Sequence, residues 1–175
     1  MKKEQELARL IRKGNIFIYP TDTVYGIGCN ALKEESVKKI KQMKGRDDVK
    51  PLSVIAPSKQ WILNHTKASK ELVEKYLPGP YTLLVEKKDS KFLSYVSPTD
   101  ILGVRIPKHP FTGMIKKADV PFITTSANIS GEKPPSKLED ISPELLKKAD
   151  VIIDGGKLSG TPSTIILPDG KEMKR

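Results

Sequence analysis

The chain is poor in the residues that most often advertise chemistry. Its 175 residues include one cysteine, Cys29, and two histidines, His65 and His109, set far apart. A lone thiol excludes an intrachain disulfide and a cysteine-based zinc cluster, and it reads best as a small buried apolar residue. Two isolated imidazoles offer neither metal-ligand spacing nor a serine–histidine nucleophile pair, so no protein-held metal site is expected. No run approaches the roughly 18 apolar residues of a membrane helix, and the start, MKKEQELARLIRKG, is charged and helix-patterned. No membrane association and a cytoplasmic location are expected. Arginine is scarce as well, accounting for only five of the 31 basic side chains.

The basic side chains nevertheless outnumber the 21 acidic ones and give a formal charge of +10, which calls for a polyanionic partner to be considered. Most lysines fall on predicted helices, as in SVKKIKQMKGR and ELLKKAD, where a solvated face accounts for them. Arg9 and Arg12 lie on the first predicted helix and Arg175 is terminal. That leaves Arg46 and Arg105, both in segments rich in glycine and proline. A guanidinium suits bidentate recognition of carboxylate or phosphate, so these two are the informative cations.

Periodicity supplies the architecture. EQELARLIRK places Leu7, Leu10 and Ile11 on one helical face and stops at Gly14, a C-terminal cap. IFIY reads as a buried strand, KEESVKKIKQM as a second helix, and LSVI as a second strand. SKQWILN and SKELVEKYL read as helices before the breaker PGP and the strand YTLLVE, and the further apolar runs ILGVRI, FITT, VIID and TIIL follow. About seven short strands interleaved with about five helices predict a single α/β domain over residues 1–175, an open, twisted mixed sheet with flanking helices. No repeat or linker divides it.

Two glycine-rich stretches test against nucleotide motifs and fail. GIGCNA at 26–31 does not directly follow its strand, and no acidic residue closes the next one. GGKLSGTPST at 155–164 lacks the spacing of a phosphate loop. What remains is a set of polar loops at predicted strand ends, where open α/β sheets gather ligands. These are PTDTVYG with Thr21, Asp22, Thr23 and Tyr25; KGRDDVKP with Lys44, Arg46 and Lys50; TTSANISG at 124–131; and GTPSTI at 160–165. Cations, hydroxyls and an amide side chain together match a ligand that combines phosphates with a small zwitterion. Asp22 and Asn128 also fit simple turn formation, and Tyr25 fits a core aromatic with a bonded hydroxyl.

PTDTVYG, KGR followed by KPL, GVRIP, SANISG and PSTI occur in the order and approximate spacing of the YrdC family, and the chain resembles that family from about Glu4 to Leu167. The resemblance implies a YrdC-like fold and a threonylcarbamoyl-AMP synthase, a nucleotidyltransferase. Such an enzyme joins L-threonine, bicarbonate and ATP, with Mg²⁺, into L-threonylcarbamoyladenylate and pyrophosphate. The adenylate then serves the N6-threonylcarbamoyladenosine modification of tRNA through downstream transferase proteins. It also implies catalytic roles for Lys44, Arg46, Ser126 and Asn128; ATP contacts from Arg46, Lys50, Ser126 and Ser136; and threonine contacts from Thr21, Thr23, Tyr25, Arg105, Thr124 and Ser163. Some relatives hold a histidine in the strand after the second loop, where this chain has Ile55, and some carry a second domain that closes the site, so that closure here is expected from the chain's own loops. Two alternatives stand beside this reading: a tRNA or double-stranded RNA binding module without catalysis, which the basic charge would suit, and a carbamoyltransferase-related YrdC domain.

Overall fold

A computed structural model describes residues 1–174; Arg175, the terminal cation of the sequence reading, lies outside the described residues. The first helix is α1 (Lys2–Lys13), and Gly14 caps it in the left-handed conformation, φ 91°. After β1 (Phe17–Tyr19) and β2 (Gly26–Gly28) come α2 (Glu34–Met43), β3 (Ser53–Ile55), α3 (Lys59–His65) and α4 (Lys70–Tyr76). Then follow β4 (Tyr81–Glu86), β5 (Ile101–Arg105), α5 (Phe111–Ala118) and β6 (Phe122–Ser126). A 3₁₀ turn (Leu138–Asp140), α6 (Pro143–Lys148), β7 (Val151–Ile152), β8 (Thr164–Ile166) and β9 (Glu172–Met173) complete the chain. Ser58, Ser69 and Ser142 cap α3, α4 and α6 by accepting backbone N–H bonds.

All nine strands form one mixed sheet in the order β7-β1-β2-β6-β3-β5-β4-β8-β9. Three neighbouring pairs are parallel (β1 with β7, β3 with β5, β4 with β8), and the others are antiparallel. The predicted mixed α/β sheet with flanking helices is therefore present. Three elements went unread. The first, β2, is the sequence GIG, whose glycines depress any strand signal. Here they serve close approach: a β-carbon on Gly28 would lie 1.9 Å from the Ile123 carbonyl oxygen, and one on Gly26 would meet the Tyr19 ring at 2.8 Å. Next, α5 was missed because FTGMIKKA is short and carries a glycine, and β9 because its two residues are both exposed.

Alternation along the strands divides the core in two. Ile18, Ile27, Val54, Leu83, Val85, Val104 and Ile123 pack with Val37, Ile40 and Met43 of α2 and with residues of α3, α4 and α6. The intervening positions Phe17, Tyr19, Ile55 and Phe122 turn to the opposite face, against Ala8 and Ile11 of α1 and Phe111, Ile115 and Ala118 of α5. Aromatic rings dominate this second cluster, with Tyr19 stacked on Phe111 at 4.6 Å and Phe122 edge-on to Tyr19 at 5.4 Å. Cys29 is fully buried, as its apolar reading required. His65 is stacked between Trp61 and Phe92, and both of those rings pack against the first cluster.

Candidate active site

On the face that α1 and α5 cover, the apolar packing stops partway along the strands, and a cavity of about 280 Å³ begins. Register explains the change. One row across β6, β3 and β5 is Phe122–Ile55–Arg105, and the next on the same face is Thr124–Ser53–Gly103. Two hydroxyls and a missing side chain replace bulky groups, so the second row cannot fill its own space. A β-carbon on Gly103 would sit 2.2 Å from Ser53 Oγ. Thr82 of β4 and Ser126 at the end of β6 continue the hydroxyl lining, and Pro134 and Pro162 close it from two loops.

The β1–β2 hairpin loop, residues 20–25, forms one wall. Thr21 Oγ1 bonds the Val24 carbonyl at 2.8 Å and lies 3.0 Å from Thr23 Oγ1, so both threonines are held inward and buried. Asp22 makes a largely buried ion pair to Arg105 at 2.6 Å. Its second oxygen accepts the Lys108 N–H at 2.9 Å, which fixes the carboxylate, and Arg105 also reaches Thr23 Oγ1 at 3.4 Å. The turn reading of Asp22 was thus too modest: it orients one of the two informative arginines. On the far wall Ser163 Oγ is 2.8 Å from Thr82 Oγ1, which ties the loop before β8 to β4. Ser159 and Gly160 both donate to the Thr23 carbonyl, so the loop of residues 153–163 lies across the hairpin.

Of the residues assigned to threonine, Thr21, Thr23, Arg105, Thr124 and Ser163 line this cavity together. Tyr25 does not. It is fully buried, and its hydroxyl donates to the Gly156 carbonyl at 2.7 Å and accepts the Gly155 N–H at 2.9 Å. It therefore anchors the 155–156 turn, the core-aromatic alternative, and the cavity-lining assignment is corrected. Ile55 is likewise sealed among Phe17, Tyr19 and Phe122, with no route to the cavity. Sequence reading missed Ser53 and Thr82; each is a hydroxyl inside an apolar strand, two residues before a large aliphatic one (Ile55, Leu84), and that interruption was the available signal.

Of the residues assigned to ATP, Ser126 lines the cavity, and the buried Lys44 ammonium donates to its carbonyl. Burial, and secondarily the nearby Arg46 charge, push the Lys44 pKa down to about 7. Arg46 donates to the Pro51 carbonyl at 2.7 Å, and Lys50 is exposed at the tip of the same loop. Asn128 is buried, its amide nitrogen bonded to the Ile129 and Glu132 carbonyls, while its carbonyl oxygen has no partner among the described residues. Ser136 stands apart from the cavity, its N–H and hydroxyl both 3.3 Å from an Asp140 oxygen and its carbonyl accepting from Leu158. A small neutral-to-cationic chamber with a basic rim can hold an amino acid inside and a polyphosphate at its mouth. Its volume lies at the small end of ligand cavities, roughly 300–1,000 Å³, too small for both ligands together.

Such a chamber on this sheet defines a class, and comparison with known proteins supplies the family. The Sua5/YciO/YrdC family model, described as "Telomere recombination", matches residues 9–174, and the chain belongs to that family. It is 40% identical over 164 residues to a Methanocaldococcus jannaschii protein to which the threonylcarbamoyl-AMP synthase name is attached provisionally, covering 91% of this chain and 77% of that one. It is 35% identical to the Pyrococcus abyssi threonylcarbamoyl-AMP synthase, covering 91% of this chain and 48% of that protein. The crystal structure of Pyrococcus abyssi Sua5 complexed with L-threonine superposes with a TM-score of 0.85 at 32% identity, over 96% of this chain and 51% of that one. The chain thus spans most of the first relative but about half the length of the second. No helix among the described residues is long and apolar enough to cross a membrane.

Proposed function

We propose that the chain catalyses formation of L-threonylcarbamoyladenylate and pyrophosphate from L-threonine, bicarbonate and ATP. The observation that carries the reading is the hydroxyl-lined chamber with one buried, carboxylate-oriented arginine, opening onto the Lys44–Arg46 loop. The threonine carboxylate would pair with Arg105, and Thr23, Thr124, Ser163 and Ser53 would receive its ammonium and hydroxyl groups. The amine, once deprotonated, takes up the carbon of bicarbonate with loss of water to form a carbamate. A carbamate oxygen then attacks the α-phosphorus, and the bond to pyrophosphate breaks. Lys44, Arg46 and Lys50 would offset the charge on the phosphates, and Mg²⁺ would arrive with ATP as part of the substrate, neutralising the leaving group. The chemistry is mostly positioning, so a site without histidine or thiol is adequate to it.

Incubating the protein with ATP, Mg²⁺, L-threonine and bicarbonate should release pyrophosphate and give an AMP-linked product of matching mass. Background pyrophosphate release would remove the enzyme reading. Transfer of the product to tRNA by further proteins belongs to the same proposal. The RNA-binding alternative gains nothing from the fold's interior, since the groups gathered there face a chamber rather than a surface.

A further inference from the structure

Lysines 41, 44 and 87 are all buried, and among the described residues not one of them forms an ion pair with a carboxylate. Each donates to main-chain carbonyls instead. Lys41 is 3% exposed, and its ammonium donates to the Asp48 carbonyl at 2.6 Å. Its own carbonyl accepts the Arg46 N–H at 2.9 Å. One residue of α2 therefore grips the following loop twice, at Arg46 through its backbone and at Asp48 through its side chain. Just before the first grip the chain turns through Gly45 at φ 60°, and beyond the second Lys50 N–H bonds back to the Asp47 carbonyl at 3.1 Å.

We propose that Lys41 is a positioning residue for nucleotide binding, its buried ammonium clamping the loop of residues 45–50 so that Arg46 and Lys50 are presented to the phosphates of a nucleoside triphosphate. The inference rests on the functional reading above for the ligand, but its geometry stands independently. Stability alone does not account for the residue. Burying an ammonium against a neutral acceptor is costly, and a methionine side chain would fill much of the same space without that cost. Asp48 is exposed, so its carbonyl would find water if the ammonium were removed. Burial indeed pushes the Lys41 pKa down, with Asp48 opposing and Arg46 adding to the effect. The return on that cost is a fixed loop, and what the loop holds is the guanidinium.

Lys87 supplies the control. Its ammonium donates to the Ser90, Phe92 and Ser97 carbonyls at 2.9–3.0 Å, closing a turn outside the 45–50 loop, whose Val96 carbonyl accepts the Leu52 N–H. The test compares Lys41→Met, Lys41→Arg and Lys87→Met by calorimetric binding of Mg-ATP and of L-threonine, thermal melting and amide hydrogen exchange. Lys41→Met should weaken Mg-ATP about tenfold or more, leave L-threonine within twofold, keep or raise the melting temperature, and speed exchange at the Arg46 and Lys50 amides. Lys41→Arg, which retains a donor, should recover most of the loss. Lys87→Met should lower the melting temperature with little change in Mg-ATP affinity. Unchanged exchange at Arg46 in Lys41→Met would overturn the clamp, as would equal weakening of both ligands or an equal Mg-ATP loss in Lys87→Met. If the unaltered protein bound no Mg-ATP, the functional reading would fall while the exchange result still decided the clamp.

Discussion

Two adjacent rows of one sheet face, Phe122–Ile55–Arg105 and Thr124–Ser53–Gly103, differ in what their side chains do with the same backbone. The first row, apart from Arg105, is closed by α1 and α5 and packs aromatic on aromatic. The second, one pleat along on each strand, trades that packing for hydroxyls and empty volume. Stability and function thus occupy neighbouring positions, separated by about 7 Å of strand. Arg105 marks the border: its backbone belongs to the packed row, and its guanidinium is turned to the cavity by Asp22.

The largest expected effect tests what the second row is for. A site that hydrogen-bonds a substrate hydroxyl rejects the analogue without it by up to roughly 10⁴-fold, whereas an apolar pocket discriminates far less. Threonine should therefore outperform valine in pyrophosphate release by a factor approaching that range, with serine between them. Equal turnover of valine and threonine would show that Ser53, Thr124 and Ser163 are mere lining. The next effect contrasts the rows directly. Phe122→Ala should cost about 3–5 kcal/mol of stability in denaturant unfolding, because it hollows a fully packed cluster. Thr124→Val, two residues on, should cost less than about 1 kcal/mol and act on threonine affinity instead. Comparable destabilisation by both would erase the division.

The packed row was readable from sequence, and the open row only in part. Short continuous apolar runs such as IFIY, LSVI and FITT placed the strands, since burial on both faces leaves that trace. Polar groups at predicted strand ends drew attention to Thr21, Thr23, Thr124 and Ser163, and the scarcity of arginine to Arg105, while their assignment to threonine came with the family resemblance. Ser53, Thr82 and Gly103 were not, because each looks tolerable in a strand until register sets them side by side. Tyr25 was misplaced for a related reason: TDTVYG fixes which residues lie in the hairpin loop, not which way each points. Lys41 was taken for one more solvated lysine of SVKKIKQM, and only the fold shows it buried.

Beyond the open row, Arg46 extends the comparison to the rim. Arg46→Ala should lower adenylate formation by at least about 10²-fold, about 3 kcal/mol of transition-state stabilisation, and Arg46→Lys should restore it only partly because the planar fork is lost. Affinity for RNA should barely move, since removing one of many phosphate contacts changes the salt slope by about one unit. Intact ATP-dependent turnover alongside abolished RNA binding would move Arg46 from nucleotide to RNA recognition.

The smallest effect concerns Lys44, where the functional side costs the fold something measurable. The folded protein holds the Lys44 pKa at about 7, below the ordinary lysine value of 10.5 that the unfolded chain should show. Between those values the unfolded chain binds more protons, so stability should rise with pH from about 7 toward 10.5 and stay flat with respect to this group below 7. The slope has a ceiling of about 1.4 kcal/mol per pH unit for one proton. Lys44→Met removes the charge while keeping the stem, so it should flatten the slope and stabilise the protein near pH 7, even as it abolishes adenylate formation. A phosphate ligand at the rim would favour the ammonium, so Mg-ATP binding near pH 7–8 should take up a fraction of a proton, read as a buffer-dependent binding enthalpy. Identical slopes in the two proteins would mean that the Lys44 ammonium is as well solvated as a surface lysine, and the cost assigned to the open side would vanish with it.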